Sequence, residues 1–533
     1  MVNFYVVGEN VQNHILMKIL IIGLVLCVCV SNLKTQEPIL VVDFEDEKGI
    51  STTSGISGQA FDLGPHSIHR YALALENPMH DSGSDFSVTV WVKSPEESDQ
   101  NYVILSSLIP NEETYSGWKI SVQANGAWKF DVKKKEVKYE YQATIPRQTI
   151  RNGDWHLLGV TYDATKSELR FYYDGSLMAI YNAPGIEGFY SGTSIIIGNS
   201  IDSEHSRVTG ETTDPRFVLT EWDSFYGWID DVKIYSSLLD AQSIASYYHK
   251  VSETEPVVDP GVLPDLLKVT SFNIWHGGNR SGKEIGRQRL IDILKQTNSD
   301  AFMIIETYGS GEELADALGY YLYLISTNLS ILSRYPISET YKVFDPFHSG
   351  GLQVLLPGGQ KVNLFCIWLS SYPQYFIKGL TSDESWPLDQ YMEEENASRG
   401  AEMKEILEEM VPYLRVADSI PLVVGGDFNS GSHLDWIEET AFMHNGYIVP
   451  WPVSKALEKA GFRDSFRELH PDPQKSPGIS WSPTRTFPLK DRIDYIYYMG
   501  KSLEAIKSEV IGQHPVSFPS DHAGISTEFR AMW

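Results

Sequence analysis

The chain has 533 residues, of which 42% are hydrophobic and 21% are charged, and its formal net charge at pH 7 is −27. This length predicts two or three domains, and the balance of apolar and charged residues excludes a largely disordered chain. The negative charge is spread along the sequence, which disfavours nonspecific adhesion to nucleic acid or anionic membranes. It leaves open a nucleic-acid enzyme that works with bound cations.

The N-terminus predicts an export signal. Met17 and Lys18 precede an unbroken apolar run over residues 19–30, and small and polar residues follow it. This pattern is typical of a secretory signal peptide, and the run is too short to span a bilayer. We predict a signal peptide with an upstream extension at residues 1–32, no transmembrane segment in the mature chain, and a secreted or cell-surface protein; a buried helix or a retained anchor is the alternative. Cys366 would then be the mature chain's single cysteine, without an internal disulfide.

Residues 38–250 have the pattern of an all-β domain. Residues 86–92, 118–122 and 169–173 alternate apolar with small or polar side chains, as half-buried strands do. Short strands of this kind, separated by turns rich in Gly, Asn and Asp, predict a sandwich of two sheets.

Three segments of this domain carry a family resemblance: residues 155–163, 169–175 and 227–235. In this order they resemble the laminin-G-like, concanavalin-type domains, which implies an N-terminal all-β jelly-roll sandwich that binds an extracellular glycan or another surface. The resemblance also implies a structural Ca²⁺, for which Asp43 and Asp230 are the candidate oxygen ligands. The alternative is that these aspartates are ordinary turn residues.

Residues 251–266 follow neither a strand nor a helix pattern. They contain three prolines, a glycine and several acidic residues without apolar periodicity, which is typical of an interdomain linker. The predicted organisation is therefore a sandwich at 38–250, a linker at 251–266 and a second domain at 267–533, with the sandwich tethered to the second domain.

From residue 267 onward, predicted strands alternate with helices. An apolar run over residues 420–424 is followed by Gly425-Gly426, which brings Asp427 and Asn429 to one strand end. The two side chains would lie on the same side while the chain stays extended. The polar residues at or near the ends of the predicted strands are Asn273, Glu306, Asp427, Asn429, Asp494, Asp521 and His522.

Gathered at one edge, these side chains would offer carboxylates, carboxamides and one imidazole to a phosphate ester. Oxygen donors suit Mg²⁺ or Mn²⁺, whereas a single histidine suits Zn²⁺ poorly. Asp427 and Asn429 would orient the attacking water and bind phosphoryl oxygens, and Asp494 would fix the tautomer of His522. Each residue alone fits an ordinary cap or turn, so the prediction depends on their combination.

The same residues resemble the motifs of the endonuclease/exonuclease/phosphatase superfamily. The matching segments are residues 271–275, 305–306, 426–429, 492–496 and 520–522. The resemblance implies a C-terminal α/β four-layer sandwich like that of deoxyribonuclease I, with the site at one edge of two packed sheets. The implied metal ligands are Glu306, Asn273 and Asp521, and the implied catalytic residues are Asp427, Asn429, Asp494 and His522.

One strand departs from the family pattern. Members of the family often have a histidine at the end of a central strand, where this chain has Trp368. Tryptophan cannot give a labile proton to a leaving group, so another residue supplies it, the leaving group needs no acid, or the site is inactive. Trp368 would then be a stacking wall or simple core packing. The candidates for the missing acid are Tyr372, Tyr375, His348 and His433, and the candidate substrate-binding residues are Trp368, Tyr372, His348 and His433.

We predict a secreted, divalent-metal-dependent phosphoesterase that hydrolyses a phosphate mono- or diester, with an attached glycan- or surface-binding sandwich. A secreted nuclease is one alternative, supported by a basic cluster over residues 280–289, although the start of a solvated helix is the preferred explanation of that cluster. A phospholipase could use the aromatic segment 371–377 at a membrane. The alternative from another class is a non-catalytic surface-binding protein in which the jelly roll carries the function.

Overall fold

The structure is a computed structural model. It describes residues 36–45, 51–64, 71–79, 83–97, 101–110, 115–190, 194–199, 217–219, 224–256, 261–374, 387–486 and 489–533. The predicted signal peptide at 1–32, Tyr375 and the end of the aromatic segment 371–377 lie outside the described residues.

The N-terminal half is built of short strands joined by turns. Its elements are β1 (Leu40–Val42), β2 (Thr52–Ser54), β3 (Gln59–Asp62), β4 (Tyr71–Glu76), β5 (Phe86–Lys93), β6 (Tyr102–Pro110), β7 (Tyr115–Val122), β8 (Trp128–Lys134), β9 (Val137–Gln142), α1 (Ile145–Gln148), β10 (His156–Asp163), β11 (Glu168–Tyr173), β12 (Ser176–Asn182), β13 (Ser194–Ile197), β14 (Phe217–Leu219), β15 (Trp228–Tyr235) and α2 (Ala241–Ser252).

Strand β5 shows where local pattern and tertiary structure differ. Its alternating sequence predicts one solvated face, but every residue except Lys93 is buried. Helix α2 covers the outer face: Trp91 stacks on Tyr248 with ring centroids 5.5 Å apart and donates its indole N–H to the Tyr247 hydroxyl at 3.2 Å. The half-buried prediction for β5 is therefore wrong because a later helix packs on the face that the pattern left to solvent.

The C-terminal half alternates strands with helices. Its elements are β16 (Leu266–Asn273), a 3₁₀ helix (His276–Ser281), α3 (Lys283–Thr297), β17 (Ala301–Ile305), α4 (Gly311–Leu318), β18 (Tyr321–Leu324), β19 (Leu329–Ser333), β20 (Ile337–Tyr341), β21 (Ser349–Leu355), a 3₁₀ turn (Pro357–Gly359), β22 (Lys361–Trp368), α5 (Leu388–Glu395), a π turn (Asn396–Gly400), α6 (Ala401–Leu414), β23 (Leu422–Asp427), a 3₁₀ helix (Glu438–Met443), α7 (Pro452–Ala460), β24 (Arg463–Asp464), α8 (Ser465–Leu469), β25 (Asp494–Met499), β26 (Leu503–Ile511) and β27 (Gly524–Ala531).

The C-terminal half has four layers. Apolar side chains of α3 and α4 pack on one face of the sheet that contains β16 and β17. The opposite face of that sheet packs on a second sheet, which has the strand order β20-β21-β22-β23-β25-β24. Helices α6 and α7 cover the outer face of this second sheet. The predicted four-layer α/β sandwich is confirmed, as is the all-β sandwich before it, in which a sheet of order β14-β4-β13-β6-β7-β8-β9 faces the β5 sheet.

One sheet runs through both halves of the molecule. Within the described residues it has 14 strands, in the order β2-β3-β15-β5-β10-β11-β12-β18-β19-β17-β16-β27-β26, with β1 beside β15. The halves meet where β12 pairs with β18 in parallel, with Ala179 opposite Leu322 and Tyr181 opposite Leu324. The two domains therefore share backbone hydrogen bonds, instead of being joined by a tether alone.

Buried polar contacts reinforce this junction. The Asp316 carboxylate accepts hydrogen bonds from Nε2 of Gln148 at 2.9 and 3.0 Å, and from the backbone N–H and hydroxyl of Thr144 at 3.0 and 2.9 Å. The Tyr181 hydroxyl donates to Glu312 across the same boundary. Such groups are costly to bury without partners, so each domain needs the other to satisfy them.

Among the described residues, no helix has the length and apolar character needed to cross a membrane. Cys366 is a free, buried thiol in β22, and burial raises its pKa well above its usual range. A buried thiol of this kind packs as a small apolar residue.

Candidate active site

Strand ends from both sheets of the C-terminal half meet at one edge. β16 ends at Asn273, Glu306 follows β17, and β23 ends at Asp427, which pairs with Asp494 at the start of β25. The Asn273 amide donates to Asp427 at 3.0 Å and to Glu306 at 3.2 Å, so a single side chain links the two sheets. Two further predicted residues lie at this edge just before β27, namely Asp521 and His522.

The imidazole of His522 lies between two buried carboxylates. Its Nδ1 is 2.9 Å from Oδ2 of Asp494, and its Nε2 is 3.9 Å from Oδ2 of Asp427. Burial alone would lower the pKa of His522, but the carboxylates of Asp494 and Asp427 raise it well above its usual range. Burial raises the pKa of Asp427, and the neighbouring Asp494 raises it further. The arrangement thus favours the protonated form of the His522 imidazole and makes the Asp427 carboxylate more basic.

Two carboxylate oxygens at this edge have no hydrogen bond within the described residues: Oδ1 of Asp521 and Oδ1 of Asp494, both buried. Asp521 is also close enough to Glu306 for that carboxylate to raise its pKa, in addition to the larger effect of burial. Buried, unpaired carboxylate oxygens beside a second carboxylate are a donor set that fits a hard divalent cation. The residues present therefore fit the predicted metal.

Asp427, Asp494 and His522 form the compact group of possible ligands in the described residues, with one donor atom of each within 4.8 Å of the others. This group differs from the set Glu306, Asn273 and Asp521 that the family resemblance implies. The Nδ1 atom of His522 in this group is already hydrogen-bonded to Asp494, which fixes the orientation of the ring.

Asn429 reaches the site through a turn. The expectation that Asp427 and Asn429 lie on one side of an extended strand does not hold, because Asn429 has a left-handed backbone with φ of 48°. Its backbone N–H donates to Oδ1 of Asp427 at 3.0 Å, and its side-chain amide donates to the Leu369 carbonyl at 2.8 Å. An Asx turn therefore keeps the two residues together.

Two serines that the strand-end pattern did not predict hold the catalytic strands in place. The Ser480 hydroxyl accepts the backbone N–H groups of Ile493 and Asp494 at 3.0 Å each. The Ser520 hydroxyl donates to the Asn273 carbonyl at 2.7 Å and accepts the N–H of His522 at 3.0 Å. The sequence offered a weak signal only for Ser520, since it directly precedes Asp521.

Trp368 occupies the end of β22 and pairs with Asp427, so it borders the site. Its ring packs against His348 and Phe347, with centroid distances of 5.3 and 5.5 Å. The Nδ1 atom of His348 lies 3.1 Å from the Trp368 carbonyl oxygen. These side chains form an aromatic wall beside Asp427, and His348 is the imidazole that this wall contributes.

The remaining substrate-binding candidates make other contacts. Tyr372 is 63% exposed, and its hydroxyl donates to Glu394 at 3.4 Å. His433 hydrogen-bonds with Ser454 at 2.8 Å and with Glu458 at 3.1 Å, and it lines a different cavity of about 660 Å³. The structure therefore brings Trp368 and His348 to the catalytic edge but not His433.

A second aromatic group borders the Glu306 side of the site. Trp275 follows β16, and its backbone N–H donates to Oδ1 of Asn273 at 3.0 Å. The guanidinium groups of Arg485 and Arg280 lie 4.5 and 5.4 Å from the Trp275 ring centroid. Arg485 was not among the predicted site residues, because it belongs to a loop without regular structure.

Of the two candidate calcium ligands in the N-terminal domain, Asp230 lies in β15 and Asp43 directly follows β1. Asp230 accepts backbone N–H groups from Ile56 and Ser57 at 3.0 and 3.2 Å, and burial raises its pKa to about 7. Asp43 accepts the N–H of Glu45 at 3.4 Å. Neither belongs to the compact ligand group found in the described part of the chain.

Comparison with protein families gives two matches in the predicted order. Residues 70–245 match the family described as Concanavalin A-like lectin/glucanases superfamily, and residues 270–522 match the Endonuclease/Exonuclease/phosphatase family. Both resemblances drawn from the motifs are confirmed. The second match indicates phosphoesterase or nuclease chemistry for the C-terminal half.

A curated relative, an uncharacterized protein of Caenorhabditis elegans, is 28% identical over 291 residues, which cover 49% of this chain and 91% of the relative. Among solved structures, truncated TDP2 of C. elegans is 20% identical, with a TM-score of 0.36, covering 50% of this chain and 98% of that chain. The catalytic domain of human Nocturnin is 15% identical, with a TM-score of 0.35; the match covers 51% of this chain and 97% of the Nocturnin chain.

Proposed function

We propose that this protein is an exported phosphoesterase that uses Mg²⁺ or Mn²⁺ to hydrolyse a phosphate mono- or diester. The observation that carries the proposal is the meeting of Asn273 and Glu306 from one sheet with Asp427 and Asp494 from the other. The family match of residues 270–522 supports the same chemistry. Export is supported by the sequence of residues 1–32.

Glu306 and Asp521 are the residues that would hold the cation, with Asn273 beside them. The bound cation would neutralise charge that develops on the phosphoryl oxygens. The Asn273 amide, which hydrogen-bonds both Glu306 and Asp427, fixes the distance between the cation side and the proton-transfer side of the site.

His522 and Asp427 would act on the phosphate and the water. With Nδ1 held by Asp494, the imidazolium presents its Nε2–H as a donor to a phosphoryl oxygen. The buried Asp427 carboxylate, whose pKa is raised, would accept a proton from the attacking water as the new P–O bond forms. The Asn429 amide has a second N–H beyond the one given to Leu369, and this N–H would orient the phosphate.

The ester oxygen leaves as the P–O bond breaks, and an alkoxide needs a proton at this step. Trp368 cannot supply one, and His348 is the titratable side chain packed directly on it. We propose His348 as the acid for poor leaving groups, with the Trp368 ring as a wall against which the substrate packs.

The N-terminal sandwich would bind an extracellular glycan or another surface ligand. Its sheet continues into the catalytic domain through β12 and β18, so a ligand on the sandwich would set the orientation of the whole molecule. A structural Ca²⁺ at Asp43 and Asp230 stays a prediction. Calorimetric titration with Ca²⁺ of the whole protein and of Asp230→Asn tests it.

The decisive experiment is hydrolysis by purified residues 33–533 with Mg²⁺, Mn²⁺ or Ca²⁺, and with chelator. The substrates are plasmid DNA, RNA, sphingomyelin, bis-p-nitrophenyl phosphate and p-nitrophenyl phosphate, with Glu306→Ala as the inactive control. Chelator-sensitive turnover that disappears in the variant establishes the enzyme, and cleavage of DNA or RNA in preference to the small esters supports the nuclease alternative. Full turnover in Glu306→Ala would remove the proposed role of Glu306, and no turnover of any substrate favours the non-catalytic surface-binding protein.

A further inference from the structure

Trp275 and Arg485 come from distant parts of the chain and meet on the cation side of the site. The Arg485 guanidinium lies 4.5 Å from the Trp275 ring centroid, and its Nη1 atom is 3.8 Å from Oδ2 of Asp521. The arginine side chain is 43% exposed, so solvent and substrate can reach it. Stacking uses the flat face of a guanidinium, whereas its N–H donors lie in the plane and stay directed outward from the ring.

The position of Trp275 is fixed by two groups of the catalytic edge. Trp275 and His276 both have left-handed backbones, with φ of 54° and 53°, which are uncommon for residues other than glycine. The Trp275 N–H donates to Oδ1 of Asn273 at 3.0 Å, and the His276 N–H donates to Oε2 of Glu306 at 2.7 Å. The strained turn therefore holds the indole ring next to the cation side.

The loop that carries Arg485 is anchored as well. Its backbone N–H donates to the Ser482 hydroxyl at 3.2 Å. Trp481, at the start of this loop, forms backbone bridges with Asp491 and with His522. The loop is thus positioned by its bridges to Asp491 and His522, and the Arg485 guanidinium brings a positive charge close to the carboxylate of Asp521.

We infer that Arg485, braced by Trp275, binds a second anionic group of the substrate beside the scissile phosphate. The inference depends on the proposed phosphoesterase function and names its substrate class: phosphate esters that carry a further phosphate or carboxylate. A planar guanidinium forms paired hydrogen bonds with such groups, and an exposed position leaves room for the remainder of the ligand. Arg280, at 5.4 Å from the same ring, adds a second positive charge to this subsite.

The test compares two esters that differ by one anionic group: thymidine 5′-(p-nitrophenyl phosphate) with and without a 3′-phosphate. We expect wild type with Mg²⁺ or Mn²⁺ to prefer the 3′-phosphorylated ester by about 10- to 100-fold in kcat/KM, the range for loss of a charge-assisted hydrogen bond. Arg485→Met should bring this ratio close to one, mainly through KM. Arg485→Lys should retain part of the preference.

A matched control is available in Arg463, whose guanidinium is also 43% exposed and lies 4.0 Å from the Tyr498 ring centroid, away from the catalytic edge. Arg463→Met should keep the wild-type ratio. For the bracing role, Trp275→Leu should lower the ratio, and Trp275→Phe, which keeps an aromatic face, should restore it.

The outcomes separate this inference from the proposed function. Hydrolysis of both esters at equal kcat/KM by wild type overturns the second-anion subsite but supports the proposed phosphoesterase function. A preference that survives in Arg485→Met assigns the subsite to other residues and overturns the role of Arg485. Hydrolysis of neither ester with either metal overturns the second-anion subsite, and failure on p-nitrophenyl phosphate as well overturns the phosphoesterase.

Discussion

The Nδ1 atom of His522 lies 2.9 Å from Oδ2 of Asp494, while Nε2 of the same ring lies 3.9 Å from Oδ2 of Asp427. One carboxylate therefore fixes the orientation of the imidazole, and the other faces the nitrogen that remains for the reaction. Asp427 and Asp494 are cross-strand neighbours on β23 and β25, so this geometry follows directly from the register of the second sheet.

Asp494→Asn should lower kcat by about 10²- to 10⁴-fold without unfolding the protein. A carboxamide keeps the size of the side chain but cannot stabilise the His522 imidazolium. Its N–H can also donate to Nδ1 of His522 and so favour the tautomer that carries its proton on Nε2. Kinetics together with the thermal midpoint measure the two effects separately. Asp418→Asn is the control, since Asp418 is exposed and pairs with Lys501 on the surface. Wild-type turnover in Asp494→Asn would mean that His522 needs no carboxylate partner.

Glu306→Gln should lower turnover by about 10³-fold or more, because a carboxamide is a weaker ligand for a hard cation. Calorimetry with Mn²⁺ gives a readout independent of activity, and we expect the binding heat of the wild type to be lost. Glu405→Gln, at an exposed position on α6, is the matched control. Unchanged Mn²⁺ binding in Glu306→Gln would indicate that the cation binds to Asp427, Asp494 and His522 instead.

His348→Ala should affect substrates according to their leaving groups. If His348 gives the proton to the departing oxygen, alkyl phosphate esters should slow by about 10²-fold or more, while p-nitrophenyl esters should change only a few-fold because p-nitrophenolate leaves without a proton. Rates for a series of esters measure this dependence. His433→Ala is the control, since His433 lines another cavity. Equal losses for all esters would assign His348 to packing on Trp368.

The motifs could predict the catalytic edge because the end of each strand can be recognised in the sequence. Asn273, Glu306 and Asp427 each stand where an apolar run stops, and packing the strands side by side brings these ends together. The contributions of Arg485 and Ser480 could not be predicted in this way. Both lie in a loop between residues 469 and 494, and their positions depend on contacts with distant strands.

The sheet shared by the two domains could not be predicted from local sequence patterns either. β12 ends a hairpin of the first domain and β18 is a short strand of the second, and nothing in either sequence specifies that they pair. The polar side chains at the junction, such as Gln148 and Asp316, look like ordinary surface residues in the sequence. Only the fold shows that they are buried against each other.

Asp316→Ala should destabilise both domains together. The change would leave one N–H of the buried Gln148 amide and the Thr144 N–H without their acceptor, at a cost of about 2–4 kcal/mol in the free energy of unfolding. We expect one cooperative transition in calorimetry of the wild type and a lower midpoint in the variant. Asp418→Ala, which breaks a surface ion pair, should change stability by about 1 kcal/mol or less. Two separate transitions in the wild type would contradict a shared sheet.

His444 should make stability depend on pH. Its ring stacks on Trp436 at a centroid distance of 4.1 Å, and burial lowers its pKa to about 4. In the unfolded chain the pKa is near 6.5, so between these values the unfolded state binds more protons. The free energy of unfolding is therefore highest, as far as His444 is concerned, above about pH 6.5. It falls by about 1–2 kcal/mol, after partial solvent screening, as the pH decreases toward 4.

His444→Phe keeps an aromatic ring on Trp436 and removes the titrating group. The fall in thermal midpoint between pH 7.5 and pH 5 should be smaller in this variant than in the wild type, because the phenyl ring has no proton to bind. Other groups that titrate in this range contribute equally to both proteins and cancel in the comparison. An identical pH dependence in the two proteins would show that the His444 ring remains accessible to protons in the folded state.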